Sequence, residues 1–227
     1  VGSEMCIRDR GLAFADKNGA RLEKLVNHGA LTATSDGNTK NGATGIHVGG
    51  IVGFSSNKSN TTAVVTIAEC ANYGDLDTQV ARASGIVAQT QGAYRISGCT
   101  FSGAIESTDA TKRDVVIGGI MAMADKECVG LVEGCTFSGR ISAAQAGANN
   151  FFGGIYGNNG GAASVVNDCR TTASAYVGCP IGKSVGMLAG RPNKKGFTVS
   201  NCRIAGTVTN KQGAAVVITA DNLEDWM

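Results

Sequence analysis

The chain has 227 residues and carries 20 basic against 18 acidic residues, a net charge of +2. Neither sign forms a run of five, which argues against a nucleic-acid or anionic-membrane partner, and no apolar stretch reaches the length of a membrane span. Glycine stands at 33, about twice its usual share, against 2 prolines, a balance that points to many tight turns within an ordered chain, in one large all-β domain or two smaller ones.

In chain order, residues 1–10 come first and read VGSEMCIRDR. The stretch is too polar and too short for a secretory leader, having neither an apolar core segment nor a small-residue cleavage site. It matches nothing downstream, and the codons that would spell MCIRD resemble the transposase mosaic end of a sequencing adapter. The segment is therefore read as a non-native, adapter-like scar, and the chain as a metagenomic fragment truncated at a repeat boundary. Excluding it removes Cys6 and leaves the net charge unchanged, because Glu4 and Asp9 cancel Arg8 and Arg10.

From Gly11 onward the chain repeats itself. A short apolar phrase recurs as GGIVG (49–53), SGIVA (84–88), GGIMA (118–122), GGIYG (153–157) and VGMLAG (185–190). Its marker glycines are Gly50, Gly85, Gly119, Gly154 and Gly186, spaced 35, 34, 35 and 32 residues apart. A second phrase follows each copy: TIAECANYGDL, RISGCTFSGAI, GLVEGCTFSGRI, SVVNDCRTTASA and FTVSNCRIAGTV. A further unit starts at GLAFA (11–15), with Leu12 expected in the Ile51 column, Leu22 in the β-branched column and Leu25 at the cysteine position, and with Gly29 and Leu31 completing it.

The second phrase yields a strand, a corner and a strand. Ile67, Ile96, Val132, Val166 and Val199 precede the cysteine by three residues and are β-branched, hence strand-forming. Glu69, Gly98, Gly134, Asp168 and Asn201 stand immediately before it, and most of these residue types tolerate a turn or left-handed backbone. Beyond the corner, Cys70, Asn72, Gly74 and Leu76 share one parity, as do Cys99, Phe101, Gly103 and Ile105, which puts them on one strand face. Asp75, Arg140, Ser174 and Thr207 take the opposite parity and belong in water. In the fifth unit Ala173 stands where the others have glycine, which puts that corner in doubt.

Units of this kind bury an apolar face only by stacking, with identical columns lying on one another. The fold class expected is all-β, a parallel β-helix (β-solenoid) of about six rungs of roughly 34 residues, spanning 11–210. Residues 211–227 either cap it, with Asp221 opening a short helix through NLEDWM, or begin another rung. One pair of columns resists alternation. Ile51, Ile86, Ile120, Ile155 and Met187 are apolar, and so are Val52, Val87, Met121, Tyr156 and Leu188, one residue on. Either this strand is covered on both sides, or it exposes an apolar stripe to a partner.

Chemistry-bearing residues are few. His28 and His47 lie outside any HExxH pattern and read as solvated loop or strand-edge residues; no metal site is expected. Cys70, Cys99, Cys135, Cys169 and Cys202 form one column. Strands about 4.8 Å apart with parallel Cβ vectors suit buried free thiols better than disulfides. Cys128 and Cys179 fall in loops, where either a disulfide or two free thiols fits. Asp77 and Glu106 share a column on successive units, followed there by Ser142, Tyr176 and Thr209. Neighbouring carboxylates are the weak catalytic candidates, since they push one pKa upward, and a solvated strand end is the plainer reading. Phe151, Phe152 and Tyr156 cluster around one marker phrase, as core or as a sugar-stacking or partner-binding patch. The Gly-rich phrases lack a G-K-[ST] ending, and no cofactor is expected.

HVGGIVGFSS followed by TIAECANYGDL, and VVIGGIMAMA followed by LVEGCTFSGRI, resemble the GLUG-motif repeats of bacterial cell-surface proteins. The resemblance covers roughly 11–210 and carries no catalytic residues across. It implies an extracellular or cell-surface, non-enzymatic role as structural scaffold or adhesin, with a host or cell-surface glycan or protein as partner. Two alternatives stand beside it: a β-helical polysaccharide-active enzyme using Asp77 and Glu106, and a spacer domain of a larger secreted peptidase.

Overall fold

The computed structural model describes residues 13–14, 19–34, 47–56, 63–79, 82–108, 115–125, 128–143, 150–159, 163–178, 185–191, 196–210, 213–219 and 221. Thirty short strands among them wind into five sheets, five to seven strands deep. One coil shows the plan. An entering strand, Arg82–Ser84, turns at Gly85 and Ile86 into a leaving strand, Val87–Gln91, and three outer strands follow: Ala93–Ser97, Thr100–Phe101 and Ala104–Ser107.

Each strand of the coils pairs in parallel with its counterparts one unit away; the last strand alone departs from this. Ile96 lies between Ile67 and Val132, Phe101 between Asn72 and Phe137, and Ile105 between Leu76 and Ile141. The protein is a parallel β-solenoid. Four coils, 47–78, 82–107, 116–143 and 151–177, have a coil on each side, while the strands of 13–33 and 185–210 form the end coils. The six rungs expected are thus about four fully stacked turns between two one-sided ends.

The corner before each cysteine has left-handed backbone in every described coil. The positive φ values are 56° at Lys24, 52° at Glu69, 61° at Gly98, 60° at Gly134, 49° at Asp168 and 56° at Asn201. Glycine takes this conformation freely, Asn and Asp do so at small cost, and Lys24 and Glu69 are held there by the stack. Past the corner the inward parity holds: Cys70, Asn72, Leu76 and Thr78 are buried, as are Cys169, Thr171, Ala173, Ala175 and Val177. The corner at Ala173 keeps its register despite the missing glycine, its N–H donating to Thr171 Oγ1 at 3.4 Å.

Both apolar columns around the marker phrase are covered. The entering and leaving strands run back to back inside the curve of the outer three. A Cβ on Gly118 of the entering strand would lie 1.9 Å from the Met121 carbonyl oxygen of the leaving strand, so only glycine permits that approach. The turn between them abuts the second outer sheet, where a Cβ on Gly119 would lie 2.4 Å from the Phe137 ring. Ile86, Ile120 and Ile155 are wholly buried, Met187 is nearly so, and Ile51, in the coil next to the N-terminal end, is half-buried. Val52, Val87, Met121, Tyr156 and Leu188 are buried as well.

Two registers differ from the sequence reading. Gly153 pairs with Gly186, so Met187 occupies the marker position and Leu188 follows in the isoleucine column, with the Ile155 N–H donating to the Leu188 carbonyl. The phrase VGMLAG has one glycine where GGIVG, GGIMA and GGIYG have a pair, and its small apolar residues align equally well one step along. At the N-terminal end Ala13 pairs with Phe54, whereas Leu12 in the Ile51 column would have set it against Val52. Leu22, Val26 and Leu31 pair with Ile67, Ala71 and Leu76, as expected for that unit. At the other end Ala215–Ile218 folds back antiparallel on Gly206–Asn210, so this strand covers the third outer sheet instead of extending the parallel stack. The helix expected through NLEDWM lies outside the described residues, apart from Asp221.

Candidate functional site

The third outer sheet carries the carboxylate column. Asp77 and Glu106 are register partners, and Ser142, Tyr176 and Thr209 continue the row, all on the outer face. Arg140, one coil on and two residues before Ser142, forms an ion pair with Glu106. Arg140 stands outside the column and reaches it diagonally, as a guanidinium can across a sheet face. Asp75, at the preceding corner, accepts the Ala104 N–H at 2.7 Å. What the structure brings together here is a ladder of carboxylate, hydroxyl and phenol groups on a strand face.

The aromatic candidates sit on different faces of the inner strands. Phe152 and Tyr156 belong to the main core, and Phe151, 8% exposed, packs with Val116 and Ala122 between the entering and leaving strands. They form no exposed patch. Arg191 lies over the Phe151 ring at 5.0 Å. The Tyr156 hydroxyl meets Tyr94 Oη at 2.9 Å, and Tyr94 Oη meets Ser164 Oγ at 2.8 Å, a buried chain of hydroxyls linking coils. Tyr94 reaches Ser164 by lying across Gly130, where a Cβ would come within 2.0 Å of its ring. Burial pushes the Tyr94 phenol up to about 12 and raises that of Tyr156 well above its ordinary value, so both hydroxyls stay protonated.

The motif cysteines are free thiols, four of them buried and Cys202 half-buried. Cys128 is also buried and free, its sulfur accepting the Gly92 N–H at 3.1 Å; Cys179 lies outside the described residues. Interactions between neighbouring thiols of the column lower the proton affinities of Cys99 and Cys169 and, with burial, raise those of Cys70, Cys135 and Cys202.

His47 lies on an edge strand, one of its two expected settings, but is half-buried there. It opens an entering strand, stacks on Phe54 at 5.4 Å, and accepts from Arg82 Nη1 at 3.2 Å through Nε2. Burial, followed by the Arg82 charge, lowers it to about 4. His28 lies exposed and stacks on Tyr73 at 5.0 Å. Among the described residues, no three His, Cys, Asp or Glu side chains converge as metal ligands, and no helix is long and apolar enough to cross a membrane.

The fold and these columns define the class, a parallel β-solenoid with a filled interior. Comparison of the chain with protein families, with curated proteins and with solved structures returns no match.

Proposed function

We propose that the chain is a non-enzymatic repeat domain of a bacterial surface or secreted protein, a stiff scaffold that displays its loops for adhesion to a glycan or protein. The observation that carries this reading is the filled interior. The entering and leaving strands occupy the space inside the curve of the outer strands and pack against them, as the Tyr94–Tyr156 contact and the Gly119–Phe137 approach illustrate. The carboxylates of the rival enzymatic reading sit on the outer face, with Glu106 engaged by Arg140. A glycosidase instead sets two carboxyl groups on opposite sides of a bound sugar ring. The GLUG-like phrases support the surface location.

Incubation with a panel of bacterial and host polysaccharides tests the reading. The expected result is release of reducing ends or unsaturated products no higher than buffer, together with retention of the chain on one or more immobilised glycans or matrix proteins. Hydrolysis or elimination that disappears in Asp77→Asn overturns it in favour of the enzyme.

A further inference from the structure

The five motif thiols share one pose. Each Sγ donates to the carbonyl two residues back: Cys70 to Ala68 at 3.3 Å, Cys99 to Ser97 at 3.5 Å, Cys135 to Glu133 at 3.3 Å, Cys169 to Asn167 at 3.4 Å and Cys202 to Ser200 at 3.3 Å. Each also approaches one carbonyl of the preceding coil, those of Leu22, Ile67, Ile96, Val132 and Val166, at 3.6–3.9 Å. Side chains in one pose on strands in parallel register repeat at the strand spacing, so the sulfurs form a row with a period of about 4.8 Å.

We propose that this row binds a soft monovalent d10 cation, Cu(I) or its analogue Ag(I), held in line between the sulfurs of successive coils. Two thiolate bonds of about 2.3 Å, the length found for the d10 ion zinc, span about 4.6 Å end to end, within a few tenths of an ångström of the row's period. Thiolate ligands select soft ions. Two sulfurs meet in each gap of the row and no three-ligand cluster forms among the described residues, an arrangement suited to a digonal ion and unsuited to tetrahedral zinc. The wholly buried Ile67, Ile96, Val132 and Val166 stand three residues before four of the sulfurs, in an apolar core that disfavours hydrated hard cations.

Binding is an acid–base exchange without electron transfer. Two R–SH groups and M(I) give [RS–M–SR]⁻ and two protons. In the Cys169–Cys202 gap the Cys169 N–H donates to Cys202 Sγ at 3.4 Å and offsets part of the negative charge. Cys202 is the half-buried end of the row, so loading starts in this gap. Five thiols make two separate pairs, Cys169 with Cys202 and Cys99 with Cys135, and the capacity is two ions per chain.

The test loads reduced whole chain with Cu(I) under anaerobic conditions in excess glutathione, followed by desalting. The expected result is two coppers retained per chain, near-ultraviolet thiolate-to-copper absorption, and two sulfur neighbours per copper by X-ray absorption. Cys99→Ala and Cys169→Ala, each checked for folding by circular dichroism, are each expected to lower retention to one copper, because either change leaves a single pair of adjacent thiols plus unpaired ones, while Cys202→Ala, Cys128→Ala and Cys179→Ala leave it at two. Failure to retain copper against glutathione, a three-sulfur environment, or unchanged retention in folded Cys99→Ala and Cys169→Ala overturns the proposal. Should both variants unfold, the copper count and the two-sulfur coordination of the parent chain still decide.

Discussion

Phe101 and Phe137 stack face to face on successive coils, with ring centroids 5.3 Å apart and planes 4° from parallel. The pair forms the middle of a column that starts as an amide ladder, Asn27 Nδ2 donating to Asn72 Oδ1 at 2.9 Å, and ends in Thr171 and Ile204. The marker glycines of both coils lie against these rings: a Cβ on Gly85 would come within 2.1 Å of Phe101, and one on Gly119 within 2.4 Å of Phe137. Ring and glycine are therefore one packing unit. Phe137→Ala is expected to lower unfolding free energy by about 3–5 kcal/mol, and Gly119→Ala by about 1–3 kcal/mol through overpacking. Urea unfolding followed by circular dichroism measures both, and an unchanged midpoint in Gly119→Ala contradicts the packing.

The left-handed corners make a prediction of opposite sign. Lys24 and Glu69 hold positive φ where Gly98 and Gly134 do so freely. Their ion pair, at 3.8 Å and largely exposed, contributes little. Glu69→Gly is expected to stabilise the chain by up to about 1 kcal/mol, and Gly134→Ala to destabilise it by about 1–2 kcal/mol. Loss of stability in Glu69→Gly would show that this side chain does more than occupy a strained corner.

These corners were legible in the sequence, as were the cysteine column, the β-branched column and the inward parity, because strand periodicity and turn chemistry are local properties. What escaped depends on neighbours more than 30 residues away. The Arg140–Glu106 pair lies diagonally across two coils, and the half-burial of His47 depends on Arg82 of the next coil as well as on Phe54. The one-step slip at Met187 arose because small apolar residues give no local signal of register. The double apolar columns carried the signal of the inner strand pair, and the small residues Gly49, Ser84, Gly118, Gly153 and Gly186, which are register partners, mark where those strands touch.

Acid sensitivity follows from His47. Its folded value of about 4 lies below the ordinary 6.5, so the unfolded chain takes up the proton first. Stability is then full above pH 6.5 and falls as pH drops from about 6.5 towards 4, by an amount on the order of 2–3 kcal/mol. Urea midpoints at pH 7.5 and pH 4.5 should differ more in the parent than in His47→Gln. Equal differences in the two proteins would remove His47 as the cause.

A small apolar cavity between the entering sheet and the third outer sheet is lined by Phe137, Ile141, Phe152, Ala175, Val185 and Met187, among others. It opens where Ala175 replaces the isoleucine of the two preceding coils, Ile105 and Ile141. Ala175→Val is expected to raise unfolding free energy by about 0.5–1 kcal/mol, read as a higher thermal midpoint. A lower midpoint would mean that Met187 already fills the space.

A stiff, in-register stack is the claim on which both the scaffold reading and the thiol row rest, and one distance tests it most directly. Asp77 and Thr209 share a column four coils apart, which at about 4.8 Å per coil places them about 19 Å from each other. Spin labels introduced at these two positions through unnatural residues, leaving the thiols untouched, should give a narrow electron–electron distance distribution centred at about 20 Å. A broad distribution, or a centre beyond about 30 Å, would contradict the solenoid.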